Sequence, residues 1–228
     1  MRGRSRKFYE LPSKCDGTIQ MTKELIILPS LRAHQGAGGG FILTRKFLEG
    51  AREMAPHWPG PITALVEITA APSTEFDLIE VSPETHGIRL EERPANLDRL
   101  LARLTEAAVV LGFCSRDQVA LAKPCKAAGV PLVYITEYSP ETERQIMRSE
   151  TSNPLIRARR HVWLWQTERM RRQALKLAAG MQCSGTPTYD HYRALQPNSL
   201  LFFDNRLRSD EIASEDFCRE KAAGLMQD

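Results

Sequence analysis

The chain has 228 residues, of which 42% are hydrophobic and 26% are charged, and its formal net charge is +3. This composition is typical of a globular protein, and the charge is too small to indicate a nucleic-acid partner. The five cysteines form no C-x-x-C pair, and no run approaches the ~18 apolar residues of a membrane span. We therefore predict a reduced, cytoplasmic chain without a zinc site or a transmembrane helix.

Three regions are predicted along the chain. Residues 1–22 carry Arg2, Arg4, Arg6 and Lys7, and no apolar stretch of signal-peptide length follows them, so we expect a flexible basic tail. Residues 23–208 are expected to form one domain. Residues 209–228 are expected to form an interdomain or C-terminal helix.

Within the main region, short apolar runs alternate with longer helical patterns. The predicted strands are 25–29, 62–68, 76–81, 108–113, 131–136, 180–185 and 199–204, with a short extra strand at 87–90. The predicted helices are 41–55, 95–106, 116–128, 154–178, 187–195 and 209–225. Runs that are apolar on both faces indicate a sheet covered by helices on both sides. This order predicts an α/β doubly wound fold with a mostly parallel sheet and helices on both faces.

A glycine-rich loop follows the first strand and contains Gly36, Gly38, Gly39 and Gly40. In open α/β sheets ligands bind beyond the carboxyl ends of the strands, and glycines allow backbone N–H groups to approach an anion. We therefore predict that Gly38, Gly39 and Gly40 contact a phosphate or a sugar hydroxyl. The alternative is that they only form a tight turn.

The spacing of these glycines matches neither common nucleotide motif. The dinucleotide pattern G-x-G-x-x-G requires glycine where Phe41 stands, and the P-loop requires G-K-[ST] where Phe41 and Ile42 follow Gly40. A nucleotide-dependent oxidoreductase is therefore kept only as an alternative.

Two long segments carry a family resemblance. Residues 38–67, "GGGFILTRKFLEGAREMAPHWPGPITALVE", and residues 178–207, "AAGMQCSGTPTYDHYRALQPNSLLFFDNRL", resemble the start and end of the N-terminal, acceptor-side domain of GT-B retaining glycosyltransferases of family 4. The resemblance covers about 24–208 and implies a Rossmann-like half of a GT-B fold.

The resemblance also implies a partly complete enzyme. Such enzymes hold the acceptor mainly in the first domain and the nucleotide-sugar donor in the second. No G-x(4)-K-G element occurs in this sequence, and the E-x(7)-E spacing occurs only at Glu67/Glu75 and Glu84/Glu92, inside the segment that resembles the N-terminal domain. The donor-binding domain is therefore expected to be absent and the chain inactive alone. The expected partners are a nucleotide-sugar donor and a carbohydrate or lipid-linked acceptor, with no cofactor. A non-catalytic binding module or subunit is the alternative.

Several residues are candidates for the cleft, although no catalytic residue is assigned. Lys46 lies in the family-like "TRKF" segment, and Glu137 follows the fifth strand. Ser115 and Arg116 stand where many family members have a histidine, and His34 lies beside the glycine loop. Lys46 is alternatively a solvated lysine, and Glu137 a capping carboxylate. The histidines form no metal-binding pattern, so no metal is expected.

The helix predicted at 154–178 is rich in arginine. Trp163, Met170, Ala174 and Leu177 are predicted to form its buried face. The basic remainder is predicted to contact anionic lipid headgroups or an acidic glycan, which would make the protein membrane-associated. The alternative is a solvated arginine face.

Overall fold

The computed structural model describes residues 24–70, 77–85, 87–203 and 212–225. The predicted basic tail of residues 1–22 lies outside the described residues. The strands are β1 Leu25–Ile27, β2 Arg32–Gln35, β3 Phe41–Thr44, β4 Ile62–Ile68, β5 Leu78–Val81, β6 Glu84–Thr85, β7 Ile88–Glu92, β8 Val109–Phe113, β9 Leu132–Thr136, β10 Gly180–Ser184 and β11 Ser199–Phe202. The helices are α1 Arg45–Met54, α2 Leu97–Leu104, α3 Ala122–Ala127, α4 Pro140–Glu150, α5 Pro154–Leu177, α6 Thr186–Tyr192 and α7 Glu215–Leu225.

A parallel sheet forms the centre of the fold. Its strand order is β7-β4-β1-β8-β9-β10-β11, and every neighbouring pair is parallel. The strand β1 lies between β4 and β8. The sheet extends from β1 through β4 to β7 on one side and from β8 to β11 on the other, which is the arrangement of a doubly wound sheet. The predicted α/β fold class is thus confirmed.

An antiparallel ribbon extends from the end of β4. β2 pairs with the last two residues of β4, β3 pairs with β2, and β5 pairs with β3. The helix predicted at 41–55 therefore begins only at Arg45, because residues 41–44 form β3. The Oγ1 of Thr44 caps α1 by accepting from the N–H of Phe47 at 3.4 Å.

One strand assignment from the sequence is wrong and one helix is missing from it. The run predicted at 76–81 contributes β5 to the ribbon and no strand to the main sheet, whereas the short extra strand predicted at 87–90 is confirmed as β7, which pairs with β4. The helix α4 was not predicted. Ser139 caps it, Pro140 opens it, and Glu141 and Glu143 lie in its first turn, all of which are known signals of a helix start.

The two faces of the sheet are covered unequally. One buried cluster joins the sheet to α2, α3, α5 and α6, through residues such as Leu104, Cys125, Leu175 and Tyr192. The other cluster joins it to α1 through Leu48 and Ala51. Among the described helices, α1 alone contributes to this second cluster. The β8–β11 part of that face is left partly uncovered, and a cavity lies there.

Candidate functional site

A large apolar cavity of about 530 Å³ lies on the α1 face of the sheet. Alternate residues of a strand point to the same face, so β1, β8 and β9 all present apolar side chains to it. It is lined by strand residues (Leu25, Ile27, Val109, Leu111, Val133, Ile135), by residues of α1 and its end (Phe47, Met54, Trp58), and at the carboxyl ends of the strands by Phe113, Glu137, Gln182, Ser184, Phe202 and Phe203. We call this space the apolar cavity.

A second, smaller cavity of about 270 Å³ lies beyond the carboxyl ends of β1, β8 and β9. This is the switch point of the sheet, where ligands of doubly wound folds bind. The cavity is lined by Ser30 after β1, by Cys114, Ser115 and Arg116 after β8, by Thr136, Glu137 and Tyr138 at the end of β9, by Glu143 of α4, and by Trp163, Thr167 and Arg171 of α5. We call this space the polar cavity.

Three of the candidates from the sequence meet at the polar cavity. Ser115, Arg116 and Glu137 all line it, and Glu137 also lines the apolar cavity. Ser115 Oγ donates to Asp117 Oδ1 at 2.6 Å, and the guanidinium of Arg116 lies 5.9 Å from the ring centroid of Trp163. Their roles stay predictions, but their proximity shows that the ends of β8 and β9 present polar groups to one space.

The glycine loop lies elsewhere, at the tip of the β2–β3 hairpin. The N–H of Gly36 donates to the carbonyl of Gly40 at 2.8 Å, and the N–H of Gly39 donates to the carbonyl of Gly36 at 3.1 Å. Neither cavity is lined by Gly38, Gly39 or Gly40. We expected the glycine loop to line the ligand-binding cleft, and it lines neither of these two cavities. A binding role for the three glycines therefore stays a prediction.

Close packing explains why glycine is needed in this hairpin. A Cβ on Gly40 would lie 2.5 Å from the carbonyl oxygen of Val81, and one on Gly36 would collide with the Glu80 carboxylate. Gly39 has a φ of +80°, which L side chains rarely adopt. These contacts favour the tight-turn alternative, and a carboxylate beside the loop opposes an anionic ligand there.

The other two candidates near the loop also lie outside both cavities. His34 lies on β2 opposite Ile42, and Lys46 is exposed in the first turn of α1, where its backbone N–H donates to Asp77 Oδ2 at 3.1 Å. The strand β3 lies between the glycine loop and α1, so the loop does not lead directly into the helix as the resemblance implied.

A buried charge cluster joins α4, α5 and α6, and two of its members, Glu143 and Arg171, line the polar cavity. The guanidinium of Arg171 donates to both oxygens of Glu143, at 2.7 and 3.2 Å, and to Glu168 Oε2 at 3.3 Å. It also donates to Tyr192 Oη at 3.0 Å, and that hydroxyl donates to Glu168 Oε2 at 2.7 Å. Burial alone would lower the pKa of Arg171, but its interactions with Glu143 and Tyr192 together raise that pKa above its ordinary value.

This cluster was missed in the sequence because its members are far apart along the chain. Arg171 looks like one more surface arginine of a basic helix, yet its side chain is 8% exposed. Of the predicted buried face, Ala174 is buried and Met170 packs against the core, but Trp163 and Leu177 are exposed. Other apolar residues in the first half of α5, such as Leu155 and Trp165, are also exposed.

The remaining chemistry of the described residues is limited. Cys114, Cys125 and Cys183 are buried, and burial raises the pKa of Cys114 to about 12 and that of Cys125 to about 11. These thiols are therefore poor nucleophiles. Within the described ranges no three His, Cys, Asp or Glu side chains are grouped as metal ligands, and no helix is both long and apolar enough to cross a bilayer.

Comparison with known proteins gives a likeness of fold only. No family model matches the chain, and no curated protein matches it significantly. Among solved structures it is similar to apo UGT2 of Phytolacca americana, with 11% identity and a TM-score of 0.48 over 88% of this chain and 54% of that chain. It is also similar to a UDP-glucosyltransferase from Polygonum tinctorium capable of glucosylating indoxyl, with 14% identity and a TM-score of 0.44 over 86% of this chain and 56% of that chain.

These structural neighbours are UDP-glycosyltransferases, and the chain spans about half of their length. A further one is UGT2 of Phytolacca americana complexed with UDP-2-fluoro-glucose and pterostilbene, at 11% identity and a TM-score of 0.49 over 86% of this chain and 56% of that chain. At TM-scores below 0.5 the likeness does not bear on activity, and it gives no support to family 4 in particular.

Proposed function

We propose that this chain is the acceptor-side domain of a GT-B glycosyltransferase that moves a sugar from a nucleotide-sugar donor to a hydroxyl of an acceptor with an apolar body. One observation carries the proposal. The apolar cavity, of about 530 Å³, runs along the sheet and reaches the carboxyl ends of the strands, where the Glu137 carboxylate stands on its border with the polar cavity.

The volume and lining of this cavity suit an organic acceptor. Ligand sites usually occupy roughly 300–1,000 Å³ and combine mainly apolar walls with a few polar groups that set orientation. Here the polar lining residues are Glu53 and His57 at the end of α1, and Glu137, Gln182 and Ser184 at the carboxyl ends of the strands. An acceptor would place its apolar body against β1, β8 and β9 and its hydroxyl beside Glu137. The retaining outcome and the family 4 assignment rest on the two sequence segments that carry the resemblance.

Binding of 2-naphthol, an apolar body with one hydroxyl, tests the acceptor site. We expect saturable binding by isothermal titration calorimetry, and Val133→Phe should weaken it by about tenfold or more because the added ring occupies part of the cavity. Val162→Phe, the same change at an exposed position of α5, is the matched control. Unchanged binding in Val133→Phe would place the naphthol elsewhere and contradict the acceptor site.

Transfer itself is tested with a labelled UDP-sugar panel and 2-naphthol. The chain alone should form no naphthyl glycoside. The longest natural polypeptide that contains this chain should form one. Turnover by the chain alone would contradict the proposed need for a donor-binding domain. If the longer polypeptide binds 2-naphthol but transfers no sugar to it, a non-catalytic binding module is favoured. Tight binding of NAD would favour an oxidoreductase.

A membrane contact through α5 is a further part of this proposal. Leu155, Val162 and Trp165 are 79%, 56% and 63% exposed, and their spacing places them on one face of the helix. Arg159 and Arg169 flank them, with the Arg169 guanidinium 6.0 Å from the Trp165 ring centroid. Exposed apolar and aromatic residues beside arginines are typical of helices that lie at an anionic membrane surface.

Vesicle flotation tests this contact. Vesicles containing phosphatidylserine should bind the protein, less so at high salt because the arginine attraction is screened. Trp165→Ala should weaken binding by about tenfold, since one buried aromatic ring is lost. Phe217→Ala, which removes an exposed aromatic side chain from α7, should not. Absence of binding to the anionic vesicles would remove the membrane contact.

A further inference from the structure

The strand β10 presents two polar side chains to the apolar cavity. Successive residues of a strand point to opposite faces of the sheet. Met181 and Cys183 belong to the cluster on the face covered by α2, α3, α5 and α6. Gln182 and Ser184 therefore point to the α1 face, where both line the apolar cavity. Gln182 lies within the sheet wall, whereas Ser184 ends the strand.

Gln182 stands among apolar neighbours. It is in register with Ile135 of β9 on one side and with Leu200 of β11 on the other. Ile135 is in turn in register with Phe113 of β8. Buried parallel strands usually carry Val, Ile or Leu at such positions, because covering an amide without pairing its polar atoms costs free energy. A purely apolar occupant of the cavity would incur that cost at Gln182, whereas an occupant with a polar group at this level would not.

The side-chain amide of Gln182 is accessible to an occupant. Gln182 is half-buried, and neither its Oε1 nor its Nε2 hydrogen-bonds to another described residue. Within the described ranges, the fully buried side-chain atoms without a partner are Thr167 Oγ1 and Arg171 Nε, so the amide atoms of Gln182 are not sealed from the cavity. Because an amide donates through Nε2 and accepts through Oε1, Gln182 suits a hydroxyl, which also does both.

The polar positions of the cavity lie at a fixed spacing. Two residues of a strand span about 6.5 Å, and this spacing separates Ser184 from Gln182. Cys183 is in register with Thr136, the last residue of β9. Glu137 therefore lies level with Ser184. An acceptor hydroxyl beside Glu137 would place the opposite end of the molecule deeper in the cavity, at the level of Gln182.

We propose that Gln182 determines acceptor specificity by hydrogen-bonding a second hydroxyl, about 6.5 Å from the one beside Glu137. The preferred acceptor is an apolar molecule with a hydroxyl at each end. A molecule of the same shape without the second hydroxyl leaves the amide unpaired, which is a stronger ground for rejection than a missing apolar contact. That this molecule accepts a sugar rests on the proposed function, but its hydrogen bond to Gln182 does not require transfer.

Calorimetry with 2,6-dihydroxynaphthalene and 6-methyl-2-naphthol tests the inference. The two ligands have the same shape and differ in whether a hydroxyl or a methyl group stands opposite the first hydroxyl. The wild-type chain should bind the diol about fivefold tighter, as expected for one hydrogen bond. Gln182→Leu should reverse the order and bind the methyl compound about fivefold tighter, because the wall is then apolar. The reversal is decisive, since the two equivalent hydroxyls of the diol favour it alike in both proteins.

Two controls separate ligand recognition from folding. Gln173→Leu, the same change at an exposed position of α5, should leave both affinities unchanged. Gln182→Met keeps the length of the side chain without its amide and should reverse the order of affinities as Gln182→Leu does. Both variants at position 182 should melt at the wild-type temperature or higher, because each removes a half-buried amide that has no partner among the described residues.

The outcomes distinguish this inference from the proposed function. If both naphthols bind and Val133→Phe weakens both, but the ratio of their affinities is the same in wild type and Gln182→Leu, the role of Gln182 is overturned and the acceptor cavity stands. If neither naphthol binds, the inference and the acceptor cavity both fail. If the order of affinities reverses but the longer polypeptide transfers no sugar to the diol, the hydrogen bond to Gln182 stands and the proposed function fails.

Discussion

Arg171→Met should lower the free energy of unfolding by about 3–5 kcal/mol, the usual cost of removing one partner of a buried ion pair. The side chains of Glu143 and Glu168 are 18% and 17% exposed, and the substitution would take the buried arginine from both, leaving Glu168 with the exposed Arg172. The helices α4, α5 and α6 would lose the group that joins them. Urea denaturation followed by circular dichroism measures the change.

The neighbouring arginine provides a matched control. Arg172 lies 3.7 Å from Glu168, but its side chain is 44% exposed, so Arg172→Met should cost less than about 1 kcal/mol. The double variant Arg171→Met, Glu143→Met should recover part of the loss, because two apolar side chains replace the pair without leaving a buried charge. Equal effects of Arg171→Met and Arg172→Met would mean that the cluster does not hold the helices together.

Glu24→Gln should lower the free energy of unfolding by about 2–4 kcal/mol at neutral pH. Both oxygens of Glu24 accept from the Arg103 guanidinium at 2.8 Å, and one also accepts from Thr63 Oγ1 at 2.6 Å. This buried carboxylate thereby joins the start of β1 to β4 and α2. Glu106 contacts the same arginine at 3.3 Å but is 65% exposed, so Glu106→Gln should cost less than about 1 kcal/mol.

The effect of Glu24→Gln should disappear at low pH. The hydrogen bond from Arg103 holds the pKa of Glu24 below its ordinary value. The carboxylate therefore stabilises the folded state fully above the unfolded pKa of roughly 4.3, and this contribution is lost as the pH falls through the lower, folded pKa. Denaturation of both proteins from pH 7 to 2 measures the difference. A difference that grows on acidification would contradict the assignment.

Much of the fold could be predicted from local pattern, because the central strands are short runs of Val, Ile and Leu separated by helical stretches. The parallel sheet and most helices follow from that. The wrong secondary-structure assignments arise where hydrogen bonding to a strand distant in the sequence decides whether a segment is a strand or a helix. Residues 41–44 have an apolar pattern that fits either a helix or a strand, and the partner that makes them β3 is β5, more than thirty residues later.

The candidate site was predictable only in part. Ser115, Arg116 and Glu137 were found because they follow strands whose carboxyl ends share one edge. The position of the glycine loop at the tip of a hairpin could not be predicted, because β3 and β5, which pack Val81 and Glu80 against Gly40 and Gly36, were not recognised. Thr167 and Arg171 could not be found in this way, because nothing near them in the sequence indicates that α4 and the end of β9 would enclose them.

Because the sheet is covered unequally, its strands should differ in how readily they open locally and exchange their amide protons with solvent. Where α1 packs against the sheet, both faces of the strands are buried. Along β8–β11, one face borders the apolar cavity. Amide protons of β10 and β11 should consequently exchange with solvent sooner than those of β4. A molecule bound in that space would cover the exposed apolar side chains of these strands. The melting temperature should therefore rise as the ligand concentration and the bound fraction increase.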